Sequence, residues 1–275
     1  MADVPLYWAA VTLYAASCAL FVIAQVFGKE HWFARAPQLA AAGLAPHAAS
    51  LALRWVEVGH GPYINRYEVF SSDTFVAVAL FVLVQRTWPV VRWAGPLVTG
   101  AAFLLMGFAL MSSRGAVPLP PSLQSYWLVL HVAFAKLSFG SYLLAAGLAA
   151  TYLLKERRGE ATSGGFWGKV PAPALLDDWS YRFVALGFVF TGVMIAAGSI
   201  WAERAWGRYW GWDPVEVWSL VVWLAFGLYL HLRITYRWKG RRAAVTALAC
   251  LLVAVLGFFV MPTLLASLHG EYLVK

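Results

Sequence analysis

Long, nearly uncharged apolar segments recur through the whole chain, and this feature most restricts its possible folds. Of the 275 residues, 61% are hydrophobic and only 12% are charged, and the mean hydropathy is +0.68. A soluble domain of this size needs considerably more polar surface. The chain is therefore expected to be an integral membrane protein.

Eight of these segments are candidate membrane spans, since about 20 apolar residues are needed to cross a hydrocarbon core of roughly 30 Å. They cover residues 4–27, 37–56, 73–87, 91–112, 126–154, 179–203, 215–236 and 242–264. The second and third have the least clean apolar runs, and the second contains Pro46 and His47. Unbroken apolar runs favour helices, whereas the strands of a membrane β-barrel alternate between apolar and polar residues over about 10 residues. We predict an all-α polytopic membrane protein, with residues 1–275 forming one integral-membrane domain.

Basic residues are distributed unevenly between the alternate connections of such a bundle. Connections one, three, five and seven carry 13 lysines and arginines, whereas the opposite side carries 6. Because cytoplasmic loops are enriched in these residues, both termini are predicted to lie on the non-cytoplasmic side. The same asymmetry accounts for most of the net charge of +8, so nucleic acid is not an expected partner.

Six tryptophans occur within the 23 residues from Trp201 to Trp223, around the connection between the sixth and seventh segments. Indole rings favour the membrane–water interface because each combines a broad apolar face with one N–H group. A few such residues would form an anchoring belt. Six of them, together with Tyr209, predict an external aromatic surface over residues 201–218 that suits a flat, partly apolar ligand such as a porphyrin.

Two histidines are predicted to lie at the same membrane face as this tryptophan-rich loop (residues 201–218). His131 is about five residues into the fifth segment, roughly 8 Å below the surface, and His269 follows the eighth segment. A lone interfacial histidine is usually only a hydrogen-bonded aromatic residue. Two histidines at a common level beside aromatic residues instead favour a pair of axial ligands to one heme iron.

Other ionisable residues are expected at greater depth. His231 lies 17 residues beyond Pro214, roughly 25 Å along a helix, and an intramembrane histidine near the cytoplasmic face needs a partner. Within the chain only His47 and His31 are available as mates, so a ligand from a second polypeptide is an open alternative. Lys136 is predicted to line a polar cavity or to pair internally.

The run Asp213-Pro214-Val215-Glu216 predicts the start of the seventh helix. An N-cap aspartate, a proline at the first helical position and a glutamate at the third are typical of a capping box. Such a box would fix the end of the tryptophan-rich loop to a helix terminus.

Three stretches of the chain match the motifs of a known family. Trp201-Ala202-Glu203, then W-G-x-Y-W-x-W-D-P-x-E-x-W and Tyr229-Leu230-His231 resemble the WWD signature of heme-handling proteins, in the CcsA (ResC) branch of the cytochrome c synthase. Residues 123–132 resemble the family's segment around its first external histidine. Residues 59–68 resemble its G-H-x-P-x-x-N-x-Y-E loop and contain His60, although such residues also form ordinary turns. The similarity extends from about residue 50 to residue 275.

The resemblance implies a role for each candidate residue. In this family the external histidines, here His131 and His269, hold heme b against the WWD loop, and an intramembrane histidine, here His231, belongs to an inner heme site. The residues that would grip the porphyrin or shape the loop are Trp206, Tyr209, Trp210, Trp212 and Asp213, with His60, Glu216 and Trp218 as further candidates. No catalytic acid or base is assigned.

The implied function is to bind heme, present it at the outer face of the membrane and support its thioether ligation to the CXXCH motif of apocytochrome c. This makes the chain a component of a holocytochrome c synthase, or heme lyase. A separate CcsB/ResB-type membrane protein is the implied partner, since the chain has no CcsB-like portion. A bacterium and a plastid are both open as the source. The expected location is a bacterial inner membrane, with the WWD loop facing the periplasm or the outside.

Two other functions remain open. The first is heme delivery or export without ligation, as in the related CcmC proteins, and the second is membrane electron transfer between two bis-histidine hemes. Glu216 and Trp218 favour the synthase, because the CcmC signature does not continue as D-P-x-E-x-W.

Overall fold

The computed structural model describes residues 3–115, 119–159, 165–265 and 267, and these residues form helices and connections without a β-strand. The helices are α1 (Asp3–Phe27), α2 (Glu30–Val58), α3 (Arg66–Thr87), α4 (Gly95–Leu110), α5 (Tyr126–Arg158), α6 (Gly165–Gly168), α7 (Pro173–Trp206), α8 (Pro214–Ile234), α9 (Arg241–Val255) and α10 (Met261–Leu264). A 3₁₀ helix (Pro89–Ala94) leads into α4, and a π-helix (Leu256–Val260) joins α9 to α10. The predicted all-α fold is confirmed.

Seven helical segments among the described residues are long and apolar enough to cross a membrane, compared with the eight spans predicted. The second predicted span forms α2, which is a continuous helix of 29 residues but contains Pro37, Pro46 and several buried polar side chains. Its composition therefore falls short of that of a typical span. α2 still runs the full length of the bundle, because its two ends contact opposite ends of the molecule.

Side-chain contacts show at which end of the helix bundle each connecting segment lies. At one end, Asp3 accepts a hydrogen bond from Tyr67, and the Trp201 indole donates to the carbonyl of Ser122. Arg54, near the end of α2, binds Glu68 at this same end. At the opposite end, Glu30 at the start of α2 pairs with Lys169. The N-terminal end of α1 and the tryptophan-rich loop therefore lie at the same end of the bundle.

α5 is the central helix and packs against α3, α7 and α9. Its Tyr142 ring stacks on Phe226 with 3.5 Å between centroids, and its hydroxyl lies 2.7 Å from that of Thr191. Gly187 of α7 is required beside this ring, because a Cβ there would lie 2.4 Å from Tyr142. This close packing fixes the position of α7 relative to α5, on which His131 lies.

Candidate functional site

His131 lies on α5 and is held against the backbone of α7. Its Nδ1 is 2.8 Å from the carbonyl oxygen of Met194. A carbonyl can only accept, so Nδ1 carries the proton and donates it, which leaves the ring lone pair on Nε2. Gly198 makes this approach possible, since a Cβ there would lie 2.5 Å from Nδ1. The imidazole is thus fixed in the tautomer that a metal ligand needs.

An apolar cavity of ≈ 190 Å³ adjoins His131. Its walls come from α3, α5, α7, α8 and the π-helix, and they include Leu128, Met194, Trp201 and Phe259. π-Helical turns are uncommon and often occur at functional sites. Here the turn places Gly257 and Phe259 in the cavity wall, just before the chain continues toward the sequence position of His269.

The cavity also contains a buried ion pair. The Nζ atom of Lys136 lies 2.6 Å from Oδ1 of Asp73, and both residues are buried. The prediction that Lys136 pairs internally is therefore confirmed, whereas the cavity that it lines is mainly apolar and not the polar cavity predicted as the alternative. Its partner on α3 is 63 residues away in sequence and was not predicted.

The tryptophan-rich loop is fixed at both ends by helix caps. α7 ends at Gly207, which has a left-handed φ of 72°. α8 begins with the predicted capping box: the Asp213 carboxylate accepts from the backbone N–H of Val215, and Glu216 accepts from the backbone of Asp213. The predicted capping box is confirmed, and the loop is held to the start of α8.

Glu216 also holds an unfavourable backbone conformation. One of its oxygens accepts from the N–H groups of Gly211, at 2.8 Å, and Asp213, at 3.1 Å, on either side of Trp212. Trp212 has a φ of 57°, a conformation that costs a bulky residue about 1–3 kcal/mol. The carboxylate stabilises this turn, and the Trp212 side chain is 71% exposed.

The indoles do not form one flat surface. Trp206 is half-buried and meets Trp201 edge-on at 4.7 Å, within a small apolar cluster. Trp210 and Trp212 are perpendicular, with centroids 5.9 Å apart. Tyr209 is exposed. The arrangement combines a packed tryptophan pair with a second pair whose outer member faces away from the protein.

A smaller cavity joins His131 to this loop. It has a volume of ≈ 40 Å³, and Tyr209, Trp210 and Glu216 line it together with His131 and Gly198. Trp218 is half-buried on α8 beside the π-helix, where a Cβ at Gly257 would contact it at 3.7 Å. The structure therefore brings His131 together with Tyr209, Trp210 and Glu216, while His269 lies outside the described residues.

His231 lies three residues before the end of α8, far from the tryptophan-rich loop. Its side chain is exposed, its Nδ1 is 3.3 Å from the hydroxyl of Thr235, and its ring meets Tyr236 edge-on. It lies on the same outward-facing strip of α8 as Leu224 and Leu228. His231 thus faces the surroundings of the bundle.

His47 and His31 are the two residues of this chain that were candidates to pair with His231. Both ring nitrogens of His47 are hydrogen-bonded to other residues. His47 is completely buried, with Nδ1 3.1 Å from the Tyr14 hydroxyl and Nε2 3.1 Å from the Ser71 hydroxyl. Because both ring nitrogens have partners, His47 has a packing role. His31 is exposed at the start of α2, with its ring 4.7 Å from that of Trp32.

The connection that contains His60 forms a buried hydrogen-bonded turn. Glu68 accepts from Arg54, Asn65 and the backbone of Ile64, while His60 donates from Nδ1 to the Gly61 carbonyl at 2.8 Å. Burial, reinforced by the Glu68 carboxylate, raises the pKa of the Tyr63 phenol, and Tyr63 is one of the residues that line the larger cavity. His60 itself is buried within the turn.

Removing the Glu216 carboxylate should loosen the loop. We expect Glu216→Ala to destabilise the protein by about 1 kcal/mol, as loss of a helix cap does, and to increase hydrogen exchange over residues 207–213. Glu216→Gln retains an acceptor oxygen and serves as the matched control. Hydrogen-exchange mass spectrometry checks this, and wild-type protection of the loop in Glu216→Ala would contradict the role given to the carboxylate.

Known proteins share both the sequence and the fold of this chain. The family described as Cytochrome C assembly protein matches residues 46–269. The CcsA protein of Synechococcus sp. (strain CC9902) is 36% identical, with 81% of each chain covered. That of Trieres chinensis is 32% identical, covering 77% of this chain and 75% of its own. That of Chlamydomonas reinhardtii is 34% identical, covering 77% of this chain and 59% of the relative.

A solved structure, the cytochrome c heme lyase CcmF, superimposes with a TM-score of 0.70 over 98% of this chain. Its sequence identity is 17%, so this likeness concerns the fold, and the chain spans about half the length of that protein (48%). The family match and the CcsA relatives extend over most of the chain, including the tryptophan-rich loop. The chain therefore belongs to the cytochrome c assembly protein family, in its CcsA branch.

Proposed function

We propose that this chain binds heme at the bundle end that carries the tryptophan-rich loop and presents it for covalent attachment to apocytochrome c. The observation that carries this proposal is His131: a hydrogen-bonded imidazole with its lone pair on Nε2, set between an apolar cavity and the loop. That combination suits a metal enclosed in a flat apolar ring.

The ligand side chains available near His131 suit a metal whose equatorial ligands come from a bound cofactor and not from the protein. Among the described residues, no three His, Cys, Asp or Glu side chains converge to hold a bare metal ion. A porphyrin iron needs only axial ligands from the protein. We propose His269 as the second of these, because it is the fifth residue after Leu264, and five residues span at most about 18 Å.

The proposed reaction adds each cysteine thiol of a CXXCH segment across one heme vinyl group. The sulfur bonds to one vinyl carbon, the thiol proton ends on the other, and the double bond becomes single, so no oxidant is consumed. Holding the reacting groups together supplies much of the rate. We assign this positioning to His131, Trp210, Tyr209 and the exposed Trp212, and assign no general acid or base.

A partner chain is part of the proposal. α8 is the least buried of the seven candidate spans, and His231 faces outward from it. An ionisable side chain facing lipid is costly, so such positions usually face another protein surface or a polar cavity. We propose that a CcsB-type membrane protein covers this strip and supplies the second ligand of an inner heme site at His231.

We place the tryptophan-rich loop on the periplasmic side of a bacterial inner membrane. The excess of lysine and arginine in the connections at the opposite end supports this orientation. The exposed aromatic residues of the loop fit the same assignment, because incoming apocytochrome reaches the membrane from that side.

Co-expression tests the proposed function against its alternatives. The chain is expressed with a CcsB-type partner and an exported apocytochrome c, and covalent heme is measured by peroxidase staining after denaturing electrophoresis. We expect holocytochrome only when both membrane proteins are present. Heme bound to the chain without covalent product would support CcmC-like delivery. Rapid electron transfer between two bound hemes, again without product, would support an electron carrier.

A further inference from the structure

We infer that Gly198 is a positioning residue for the iron ligand, because the absence of a side chain lets the His131 imidazole rest on α7 and bind the Met194 carbonyl. This inference rests on the proposed function, in which His131 binds heme iron. It adds a requirement on α7, namely that residue 198 have no side chain.

The hydrogen bond joins two neighbouring helices at one helical turn. Met194 lies inside α7, so its carbonyl is also the i−4 acceptor for the backbone N–H of residue 198. A carbonyl oxygen has two lone pairs and can accept both bonds. The imidazole therefore binds at the turn where Gly198 leaves the helix surface uncovered.

A side chain at position 198 would occupy the space of the ring. A Cβ built there lies 2.5 Å from Nδ1, 2.9 Å from Cε1 and 3.4 Å from Cγ of His131. The imidazole is the end of a side chain, whereas the helix backbone is fixed by its packing. We therefore expect the ring to rotate away and to lose its bond to Met194.

The expected effect separates ligand positioning from folding. Gly198 has no positive φ, and alanine favours a helix over glycine by up to about 1 kcal/mol. Gly198→Ala should then fold with a stability close to that of the wild type, because the gain in helix propensity offsets the lost hydrogen bond. Its heme affinity should fall by about 10- to 100-fold, as is typical when the outer hydrogen bond of a metal-binding histidine is removed.

Gly192 on the same helix provides the matched control. A Cβ there would lie 3.3 Å from the Trp223 indole nitrogen and touches nothing else within 4 Å. Gly192→Ala introduces the same methyl group into α7 without contacting His131. It should retain wild-type heme affinity.

The test uses the full-length protein purified with its partner, with His231→Ala in every sample so that the proposed inner heme site does not contribute to heme binding. Heme affinity is measured by absorbance titration, and thermal unfolding is followed in parallel. In heme-free protein with ¹⁵N-labelled histidine, solid-state NMR reports which nitrogen of His131 carries the proton. We expect a protonated Nδ1 in the wild type and in Gly192→Ala, and a mixture of tautomers with weakened heme binding in Gly198→Ala.

Wild-type affinity and a protonated Nδ1 in Gly198→Ala would overturn the inference. A His131→Gly variant separates this failure from failure of the proposed function. If His131→Gly loses heme while Gly198→Ala retains it, only the role of Gly198 is wrong. If His131→Gly binds heme with the wild-type spectrum, His131 is not the ligand and both statements fall.

Discussion

Replacing His131 with glycine is expected to abolish holocytochrome formation, and added imidazole is expected to restore part of it. The loss should exceed the 10- to 100-fold typical of an outer hydrogen-bond partner, because an iron ligand itself is removed. Glycine leaves a space shaped for the missing ring between the two cavities. The measurement is covalent heme in the exported cytochrome, with and without imidazole.

A neighbouring aromatic residue supplies the control. Tyr126 is the first residue of α5 and is 89% exposed, so Tyr126→Ala changes the same helix without touching the site. It should form holocytochrome at the wild-type level. Undiminished product from His131→Gly without imidazole would contradict the assignment of His131.

Replacing Lys136 with methionine is expected to destabilise the protein by about 3–5 kcal/mol, because the Asp73 carboxylate is left buried without its counter-charge. The double variant Lys136→Met/Asp73→Asn should recover most of that loss, since no buried charge then remains uncompensated. Thermal unfolding in detergent and the amount of protein in the membrane measure the effect.

The chain contains an exposed ion pair for comparison. The Nζ atom of Lys169 lies 2.5 Å from Oε2 of Glu30, but the two side chains are 65% and 48% exposed. Lys169→Met should cost less than about 1 kcal/mol, because solvent screens such pairs. Equal destabilisation by Lys136→Met and Lys169→Met would show that the Asp73–Lys136 pair does not act as a buried pair.

The helices could be predicted from hydropathy, whereas their ends could not. Apolar runs located every long helix, yet α7 begins at Pro173, six residues before the predicted span, and α5 continues to Arg158. Polar residues extend a helix beyond its apolar part without changing the hydropathy signal. α2 shows the reverse: its buried His47 and Arg54 reduce its apolar character although it runs the length of the bundle.

The local parts of the site were predictable and the contacts between helices were not. The capping box of Asp213 and Glu216 depends on residues three apart, so the sequence pattern specifies it. Met194, Gly198 and Asp73 were missed because their roles depend on contact with α5, 63 or more residues away. Gly198 carried a weak signal as a glycine inside a long helix, because glycine there costs helix stability relative to alanine.

The most direct test of heme ligation by His131 is the optical and redox behaviour of a His131→Met variant purified with its partner. If His131 binds the iron, a methionine sulfur in its place should produce a sulfur-to-iron charge-transfer band in the near infrared. It should also raise the midpoint potential, because methionine ligation favours the ferrous state. A spectrum and potential identical to those of the wild type would contradict the proposal that His131 holds the heme.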